Sequence, residues 1–487
     1  MGRDTISAML IDGVPATEVR DDSGIPERAV ASFLKFIEKK LNVSVIKNLR
    51  GTTRDRSLRD PLQLAKLLQE RGVIKNIGRF SDVPDEPRTK SWYATCNDPA
   101  SNKVAGMSFE NDADALYATL AEGLERYLWF TQNDYFVKPT RTTTTGIKKA
   151  GACIAPEEFA GFSEEQRARN PERILRPDDE YVWIQGTSLL TGTPVYVPAQ
   201  TVSRVGLNSP EKGGKESLIR QPTTNGLATW HTQTGARLAG ANEVIERDAY
   251  MIMWLNQMTL PRISLESLCA LCPALARNIE TCSRYRLKTH VIRLLTDAPT
   301  HAVAVVMEDM SGIAPRFSIG LKAHRSLSHA TQKAMTEALR SRRGYRLWSN
   351  GVNVWDPKTP IDEIGHGERL YYWGIPENTK GLEFLVQGAE TPVEPAAWDT
   401  DTEAEHLQRI TRWCAAKGLQ CISVSLGTSA KNPSRLHIEM VIMPQLQPIY
   451  LTESLRLFGG RRWSDVPTAA GYTPLKKPFA DSPHPFS

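Results

Sequence analysis

Two segments of this 487-residue chain repeat one helical pattern, offset by 121 residues. Residues 115–129 read ALYATLAEGLERYLW, and residues 236–250 read ARLAGANEVIERDAY. Six pairs match: Ala115 with Ala236, Ala118 with Ala239, Glu122 with Glu243, Glu125 with Glu246, Arg126 with Arg247, and Trp129 with Tyr250. At about 100° per residue, all six pairs fall on one stripe of a helix. The repeat predicts two similar helices, each with two glutamates and one arginine on a shared face.

This acidic stripe favours a buried site over a solvated surface. The opposite stripe of the first helix is apolar, with Leu116, Tyr117, Leu120, Leu124 and Tyr127. Burying carboxylates is costly unless cations compensate, and each helix supplies only one arginine. Two such helices around one cavity would leave room for a divalent metal, and Mg²⁺ commonly bridges carboxylates to phosphates. The alternative is that each helix is exposed and carries an i to i+4 salt bridge. A single motif would favour this alternative, but the matched repetition favours the buried site.

A third segment repeats the stripe with the opposite charge. Residues 329–348 place Ala330, Lys333, Glu337 and Arg340 at equivalent positions, offset by 215 residues from the first helix, and Arg342 follows. Cations at this stripe suit phosphate oxygens. A basic, solvated helix face paired with Glu337 is the alternative.

The rest of the chain predicts an α+β fold with helices on one face of a sheet. A helix is expected at 29–41, and a helix with a turn is expected within 62–76. Two β-branched, aromatic runs around Thr191 and Gly192 predict a hairpin. Strands are expected at SWYATCND, HVIRLL, HAVAVVME, CISVSL and RLHIEMVIM, and a loop at EKGGK, residues 211–215.

Composition restricts the class of protein. Hydrophobic residues make up 40% and charged residues 24% of the chain, which suits a large globular core. The net charge of +5 lacks the concentrated basic footprint of a nucleic-acid binder. Seven irregularly spaced cysteines suit a reducing compartment, and we find no signal peptide or membrane span. We expect a soluble, cytoplasmic protein without a nucleic-acid or membrane partner.

With these motifs, the chain resembles the YcaO family, whose members bind ATP and Mg²⁺ without a P-loop. No G-x-x-x-x-G-K-[ST] motif is present. The resemblance extends from about Leu62 to Ser487, so we expect a YcaO domain at 61–487 after an N-terminal extension at 1–60. It rests on AGMSF, AEGLERY, WIQGTSLLTGTPVYVPA, TTNGLATWHTQTGARLAGANEVIERDA, MTEALRSR, MPQLQP and PHPFS. The implied fold is YcaO-like, with internally duplicated helix-on-sheet units.

The resemblance also implies a site. The metal ligands would be Glu122, Glu125, Glu243 and Glu246. The nucleotide-binding residues would be Ser108, Glu122, Arg126, Thr224, Asn225, Ala228, His231, Arg247, Lys333 and Glu337, with Thr224 and Ala228 in the loop before the second helix. The family usually has Gly, Asn and Glu where this chain has Trp230, His231 and Gly235, and Arg where it has Lys333. These departures predict a remodelled nucleotide site in which His231 could donate a hydrogen bond or ligate metal.

The proline-rich tail is the subtype marker. Azoline-forming members tend to end in such a tail, whose terminal carboxylate reaches the active site, and this chain ends PHPFS. Prolines keep a short segment extended. The resemblance therefore implies catalytic roles for Ser487 and Pro485, together with His231. A solvated, unattached tail is the alternative.

The implied reaction is ATP-dependent cyclodehydration of a ribosomally made precursor peptide. A Cys, Ser or Thr side chain attacks the preceding amide, ATP phosphorylates the amide oxygen, and loss of phosphate leaves an azoline. Such enzymes commonly use a partner protein that grips the leader peptide. Residues 1–60 are too short and polar to be that module, but they could dock it; a homodimer is left open. Two alternatives remain: a degenerate scaffold or partner-binding subunit without full ATP chemistry, and a YcaO enzyme that forms a thioamide or an amidine.

Overall fold

The computed structural model describes residues 60–131, 140–176, 178–203, 216–349, 355–426, 432, 434 and 436–486. The expected extension at 1–60, except residue 60, lies outside the described residues, as do the helix at 29–41, the loop at 211–215 and Ser487. The described residues mix helices with three sheets, and the α+β class is confirmed. Among them, no helix combines the length and the apolar character needed to cross a membrane.

The helices of the described residues are α1 Pro61–Glu70, α2 Asp112–Thr131, α3 Thr144–Lys148, α4 Glu164–Arg169, α5 Gln233–Leu255, α6 Leu265–Leu271, α7 Pro273–Arg284, α8 Leu327–Ser349, α9 Arg369–Trp373, α10 Pro376–Thr379, α11 Glu403–Ala416 and α12 Arg462–Ala469. The strands are β1 Ile74–Arg79, β2 Lys90–Cys96, β3 Lys103–Ser108, β4 Thr140–Thr142, β5 Tyr181–Ser188, β6 Pro194–Pro198, β7 Leu227–Trp230, β8 Arg262–Ile263, β9 Leu287–Arg293, β10 His301–Asp309, β11 Phe317–His324, β12 Glu390–Thr391, β13 Ile422–Ser425 and β14 His437–Ile442.

The chain divides into two compact units. The first contains the described residues up to Pro84 and residues 88–127, and the second contains residues 85–87 and those from Leu128 onwards. In the first unit, β1, β2 and β3 form an antiparallel sheet in that order. A Cβ on Gly106 of β3 would lie 2.2 Å from the backbone oxygen of Ala115 in α2. Glycine therefore lets α2 pack directly on the strand.

The second unit contains two larger sheets. One has the order β4-β5-β13-β14-β7, with β6 paired to β5, and the other has the order β11-β10-β9-β8-β12. Pairing is antiparallel throughout, except between β8 and β12. The predicted hairpin is confirmed as β5 and β6. Strand β11 lies at a sheet edge, which determines what its outer backbone N–H groups can bind.

Helix α5 lies at the centre of the second unit. It begins after Thr232, whose hydroxyl accepts a hydrogen bond from the Gly235 N–H at 3.0 Å. Apolar side chains on all sides are buried, as a helix in the core requires. It packs against β7, β14 and β11. Helix α8 packs on β11 through Gly320, where a Cβ would lie 2.0 Å from the Ala334 oxygen.

The helices of the repeat are confirmed as α2, α5 and α8, and the five predicted strands are present as β2, β9, β10, β13 and β14. The helix and turn predicted within 62–76 are present as α1 and residues 71–73, although β1 already begins at Ile74. Gly72, with a φ of +65°, turns the chain into β1. Strands β1, β3, β4, β7, β8, β11 and β12 were not predicted.

Candidate active site

On α5, the repeated motif forms a largely buried charge cluster. The Arg247 guanidinium lies 3.6 Å from Glu243 and 3.5 Å from Glu246, measured between nitrogen and carboxylate oxygen. Only 2% of Glu246 is exposed. Burial alone would lower the pKa of Arg247, but Glu246, Glu243 and Glu337 together raise it above its ordinary value. The arginine is therefore held as a cation among three carboxylates.

Two of these carboxylates satisfy the free edge of β11. The N–H of Ala323 donates to Glu246 at 2.8 Å, and the N–H of Leu321 donates to Glu337 at 2.7 Å. An edge strand leaves backbone N–H groups without a partner strand. The two glutamates accept hydrogen bonds from these N–H groups, and the same bonds hold the carboxylates in place. Burial raises the pKa of Glu337 above its usual value.

Lys322 joins the same cluster, although sequence reasoning missed it. Its Nζ lies 3.7 Å from Glu246. Burial would lower its pKa, but Glu246, Glu243 and Glu337 raise it. The available signal was a single lysine in the otherwise apolar run of β11, just before α8. The second unit therefore offers three carboxylates and two cations in one place.

The third predicted stripe lies on α8, and only some of its residues belong to this cluster. Arg340 contacts Glu337 at 3.4 Å, and Lys333 is exposed on the same helix. Arg342 has a different role from the one expected. Its guanidinium is buried and donates to Glu86 at 2.8 Å and to Asp309 at 2.6 Å. The expectation that Arg342 meets phosphate is wrong, because these two carboxylates occupy it.

The first unit holds the other copy of the motif on α2. Arg126 lies 3.5 Å from Glu122, and both side chains, like Glu125, are half-buried. Ser108 precedes the helix, and its hydroxyl accepts hydrogen bonds from the N–H groups of Glu110 and Asn111 at 3.1 and 3.4 Å. The i to i+4 pairs of the alternative interpretation are present on both helices. A shared metal site of both motifs stays a prediction.

The loop before α5 contains Thr224 and Asn225 as expected, but Ala228 lies in β7, where it pairs with Glu439 of β14. The expectation that Ala228 belongs to the loop is therefore wrong. Gly226 makes the turn with a φ of +90°. The Asn225 Oδ1 is buried without a hydrogen-bond partner in the described part of the chain, as are Thr229 Oγ1 and Arg247 Nε. Buried polar atoms are normally satisfied, so these atoms fit a polar ligand.

Trp230 and Gly235, two of the three motif departures, form one packing unit. A Cβ on Gly235 would lie 1.8 Å from the Trp230 Cδ1, so the indole occupies the space in which a side chain would begin. The indole N–H donates to Glu403 of α11 at 3.1 Å, and Trp230 remains 41% exposed. His231 lies beside it, with ring centroids 6.2 Å apart. A role for His231 with metal or substrate stays a prediction.

The proline-rich tail is docked rather than solvated. Trp373 donates its indole N–H to the Pro483 oxygen at 3.1 Å, and His484 Nε2 lies 2.8 Å from the Tyr450 oxygen. Pro485 is buried, and the Phe486 ring lies 4.2 Å from the Arg247 guanidinium carbon. Burial holds the pKa of His484 well below its ordinary value, so the ring is neutral. The alternative of an unattached tail is wrong for residues 483–486.

The side chains around α5 fit a divalent metal and a polyphosphate. Carboxylate oxygens are the ligands that Mg²⁺ prefers, and arginine and lysine suit phosphate. No three His, Cys, Asp or Glu side chains of the described residues are already gathered closely enough to hold a metal alone.

Solved structures match the fold. A heterocyclase in complex with substrate and cofactor has a TM-score of 0.68 at 21% identity, covering 87% of this chain and 57% of the heterocyclase. YcaO from Methanopyrus kandleri, bound with AMPPCP and Mg²⁺, has a TM-score of 0.59 at 16% identity, covering 83% and 94%. A chain of the E. coli microcin synthetase McbBCD complex has a TM-score of 0.53 at 14% identity, covering 76% and 87%. These similarities show the fold alone.

Sequence comparison adds the family. An uncharacterized protein of Methanothermobacter thermautotrophicus is 28% identical over 192 residues, or 38% of this chain and 49% of that protein. The chain thus spans about half the length of this curated relative. The sequence model of the YcaO cyclodehydratases, described as binding ATP and Mg²⁺, matches residues 109–447. This match includes both acidic motifs and covers most of the chain, which therefore belongs to the YcaO family.

Proposed function

We propose that the chain is an ATP-dependent cyclodehydratase that installs azoline heterocycles at Cys, Ser or Thr residues of a ribosomally made precursor peptide. One observation carries this proposal: Arg247 contacts Glu243 and Glu246 on one side and the tail residue Phe486 on the other. The acidic motif and the tail that marks azoline-forming members thus meet at one side chain. The heterocyclase solved with substrate and cofactor supports this interpretation.

The proposed roles follow from the charges. Glu243 and Glu246, with Glu122 and Glu125, would hold Mg²⁺. Nucleotide contacts would come from Ser108, Glu122, Arg126, Thr224, Asn225, Ala228, His231, Arg247, Lys333 and Glu337. Bound Mg-ATP supplies the phosphoryl group that turns the amide oxygen into a leaving group. The chain's own cations neutralise phosphate oxygens, and the docked tail excludes water from Arg247.

The tail is proposed to complete the reaction site. Pro485 is buried between His484 and Phe486, and Ser487 follows directly in the sequence. We assign Pro485 and Ser487 to the catalytic region, with His231 as a hydrogen-bond donor or metal ligand. These roles rest on the resemblance and on the docking of residues 483–486.

A precursor peptide and a leader-binding partner protein are the proposed partners. The McbBCD complex with pro-MccB17 bound, whose chain has a TM-score of 0.53 to this one, supports both. Residues 1–60 are proposed to dock the partner. A pull-down with and without residues 1–60 tests this, and equal capture of the partner would contradict it.

A degenerate scaffold is the second candidate, because Gly235 offers no side chain and Trp230 fills its place. Calorimetric titration with Mg-AMPPCP separates the two, since a scaffold without ATP chemistry need not bind nucleotide. Mass spectrometry of the modified peptide separates a cyclodehydratase, which removes water, from a thioamide-forming enzyme, which exchanges sulfur for oxygen, and from an amidine-forming one.

The central test is Glu243→Gln, which removes one charge and preserves the shape of the side chain. We expect Mg²⁺-dependent AMPPCP binding to weaken at least about tenfold, and peptide-dependent phosphate release to collapse, because a charged metal contact is worth about 1.5–3 kcal/mol. Glu280→Gln is the matched control: Glu280 forms the same i to i+4 pair with Arg284 on exposed α7. Unchanged binding and turnover in Glu243→Gln would refute the metal role.

A further inference from the structure

The tail is held by a set of aromatic contacts that ends on the acidic helix. The His484 ring lies 4.9 Å from the Tyr450 ring and 5.9 Å from the Tyr250 ring. Phe486 then lies 5.8 Å from Tyr250, one helical turn from Glu246 on α5. Phe486 is 5% exposed and His484 is fully buried. The last contact of this set is the face of the Arg247 guanidinium, 4.2 Å away.

Arg247 therefore has two kinds of partner on two sides. The guanidinium carbon lies over the Phe486 ring, while guanidinium nitrogens lie 3.6 Å from Glu243 and 3.5 Å from Glu246. An aromatic ring over a cation attracts it and removes water from that side. A dry guanidinium held in one plane interacts more strongly and more directionally with carboxylate and phosphate oxygens.

Resting on the proposed function, we propose that Phe486 is a positioning residue for the nucleotide. Its ring holds Arg247 in the orientation that Mg²⁺-bound phosphates need, and the nucleotide in turn fixes the tail on α5. Because coupling between two binding events is reciprocal, the factor by which the docked tail tightens nucleotide binding equals the factor by which the nucleotide stabilises the docked tail.

The first experiment measures the binding of Mg-AMPPCP to the full chain by calorimetry. Phe486→Leu keeps an apolar side chain but removes the aromatic face, and we expect affinity to fall about threefold to tenfold, as for the loss of a partly desolvated cation–π contact. Phe486→Tyr keeps the face and should bind as the wild type does. Phe479→Leu is the control, because Phe479 contacts Trp254 in the same C-terminal segment without touching Arg247.

The second experiment follows hydrogen exchange at the amides of His484 and Phe486. Saturating Mg-AMPPCP should slow exchange by at least the factor that Phe486→Leu loses in affinity, and should slow it much less in that variant. A role of Phe486 in folding alone would lower the melting temperature without making tail exchange depend on nucleotide.

The outcomes are distinguishable. If the wild-type chain binds no Mg-AMPPCP, the proposed function and this inference both fail. If it binds, but Phe486→Leu binds equally well and tail exchange ignores the nucleotide, the inference fails and the proposed function stands. An equal loss of affinity in Phe479→Leu would also overturn the inference, since the effect would then not pass through Arg247.

Discussion

Replacing Gly235 with alanine tests whether Trp230 and Gly235 are one coupled change. The new Cβ would lie 1.8 Å from the Trp230 Cδ1 and 2.4 Å from its Nε1, whereas ordinary contacts need about 3.5 Å or more. The indole must therefore move, and its hydrogen bond to Glu403 at 3.1 Å is lost. Glu403 also accepts a hydrogen bond from Thr232, the residue that caps α5.

The magnitude combines two opposing effects. Overpacking and the lost hydrogen bond together cost about 1–3 kcal/mol. Alanine in a helix is about 1 kcal/mol more favourable than glycine. We therefore expect Gly235→Ala to destabilise the native chain by up to about 2 kcal/mol when Trp230 is present. With Trp230→Ala, which removes the obstacle, the same substitution should stabilise by up to about 1 kcal/mol.

The assay is a double-mutant cycle of denaturant unfolding, followed by circular dichroism because removing a tryptophan alters fluorescence. We expect a coupling energy of about 1–3 kcal/mol and a reversal of sign between the two backgrounds. If Gly235→Ala has the same effect with and without Trp230, within about 0.5 kcal/mol, the steric argument is refuted.

Two further predictions concern the tail and the second unit. Burial, with Arg369, His366 and Arg247 nearby, lowers the pKa of His484 and keeps the ring neutral. The stabilisation that the neutral ring provides is present above about pH 6.5, and about 1.4 kcal/mol of it is lost per pH unit below that value. His484→Gln should flatten the pH dependence of thermal unfolding between about pH 6.5 and 5.5, and an unaltered slope would contradict this. Gly320→Ala should destabilise the chain by about 3 kcal/mol in denaturant unfolding, because the new Cβ would clash with backbone atoms. Gly367→Ala is the control, since Gly367 has open space around it, and it should change stability by less than about 0.5 kcal/mol. Equal effects of the two substitutions would contradict the packing argument.

Local patterns in the sequence were sufficient to predict the three helices of the repeat. The apolar and acidic stripes predicted α2, α5 and α8, because helical periodicity depends only on neighbours three and four residues away. The hairpin at Thr191 and Gly192 followed from a turn of similarly local character. The repetition of one motif also indicated the family and hence the fold.

Strands β3 and β11 show why other elements were missed. Each contains a glycine, Gly106 or Gly320, which weakens the strand signal. Both glycines are explained by a helix that packs directly on the strand. The helix that packs on each strand lies outside the short stretch of sequence from which a strand is predicted. The residues of the strand therefore do not reveal why a glycine is needed there.

Short-range spacing in the sequence was enough to predict the repeated E-x-x-E-R helices and the α+β class, and the resemblance of several motifs to known proteins indicated the family. Tertiary structure alone decided what the charges touch: Glu246 completes the edge of β11, Arg342 binds Glu86 and Asp309, and Phe486 covers Arg247. The hydrogen-bonded partners lie 33 to 256 residues apart along the chain, and Phe486 lies more than 200 residues from Arg247. A carboxylate or a guanidinium has the same chemistry wherever it stands in the sequence. Only the packing of distant elements selects which of its possible partners comes within reach.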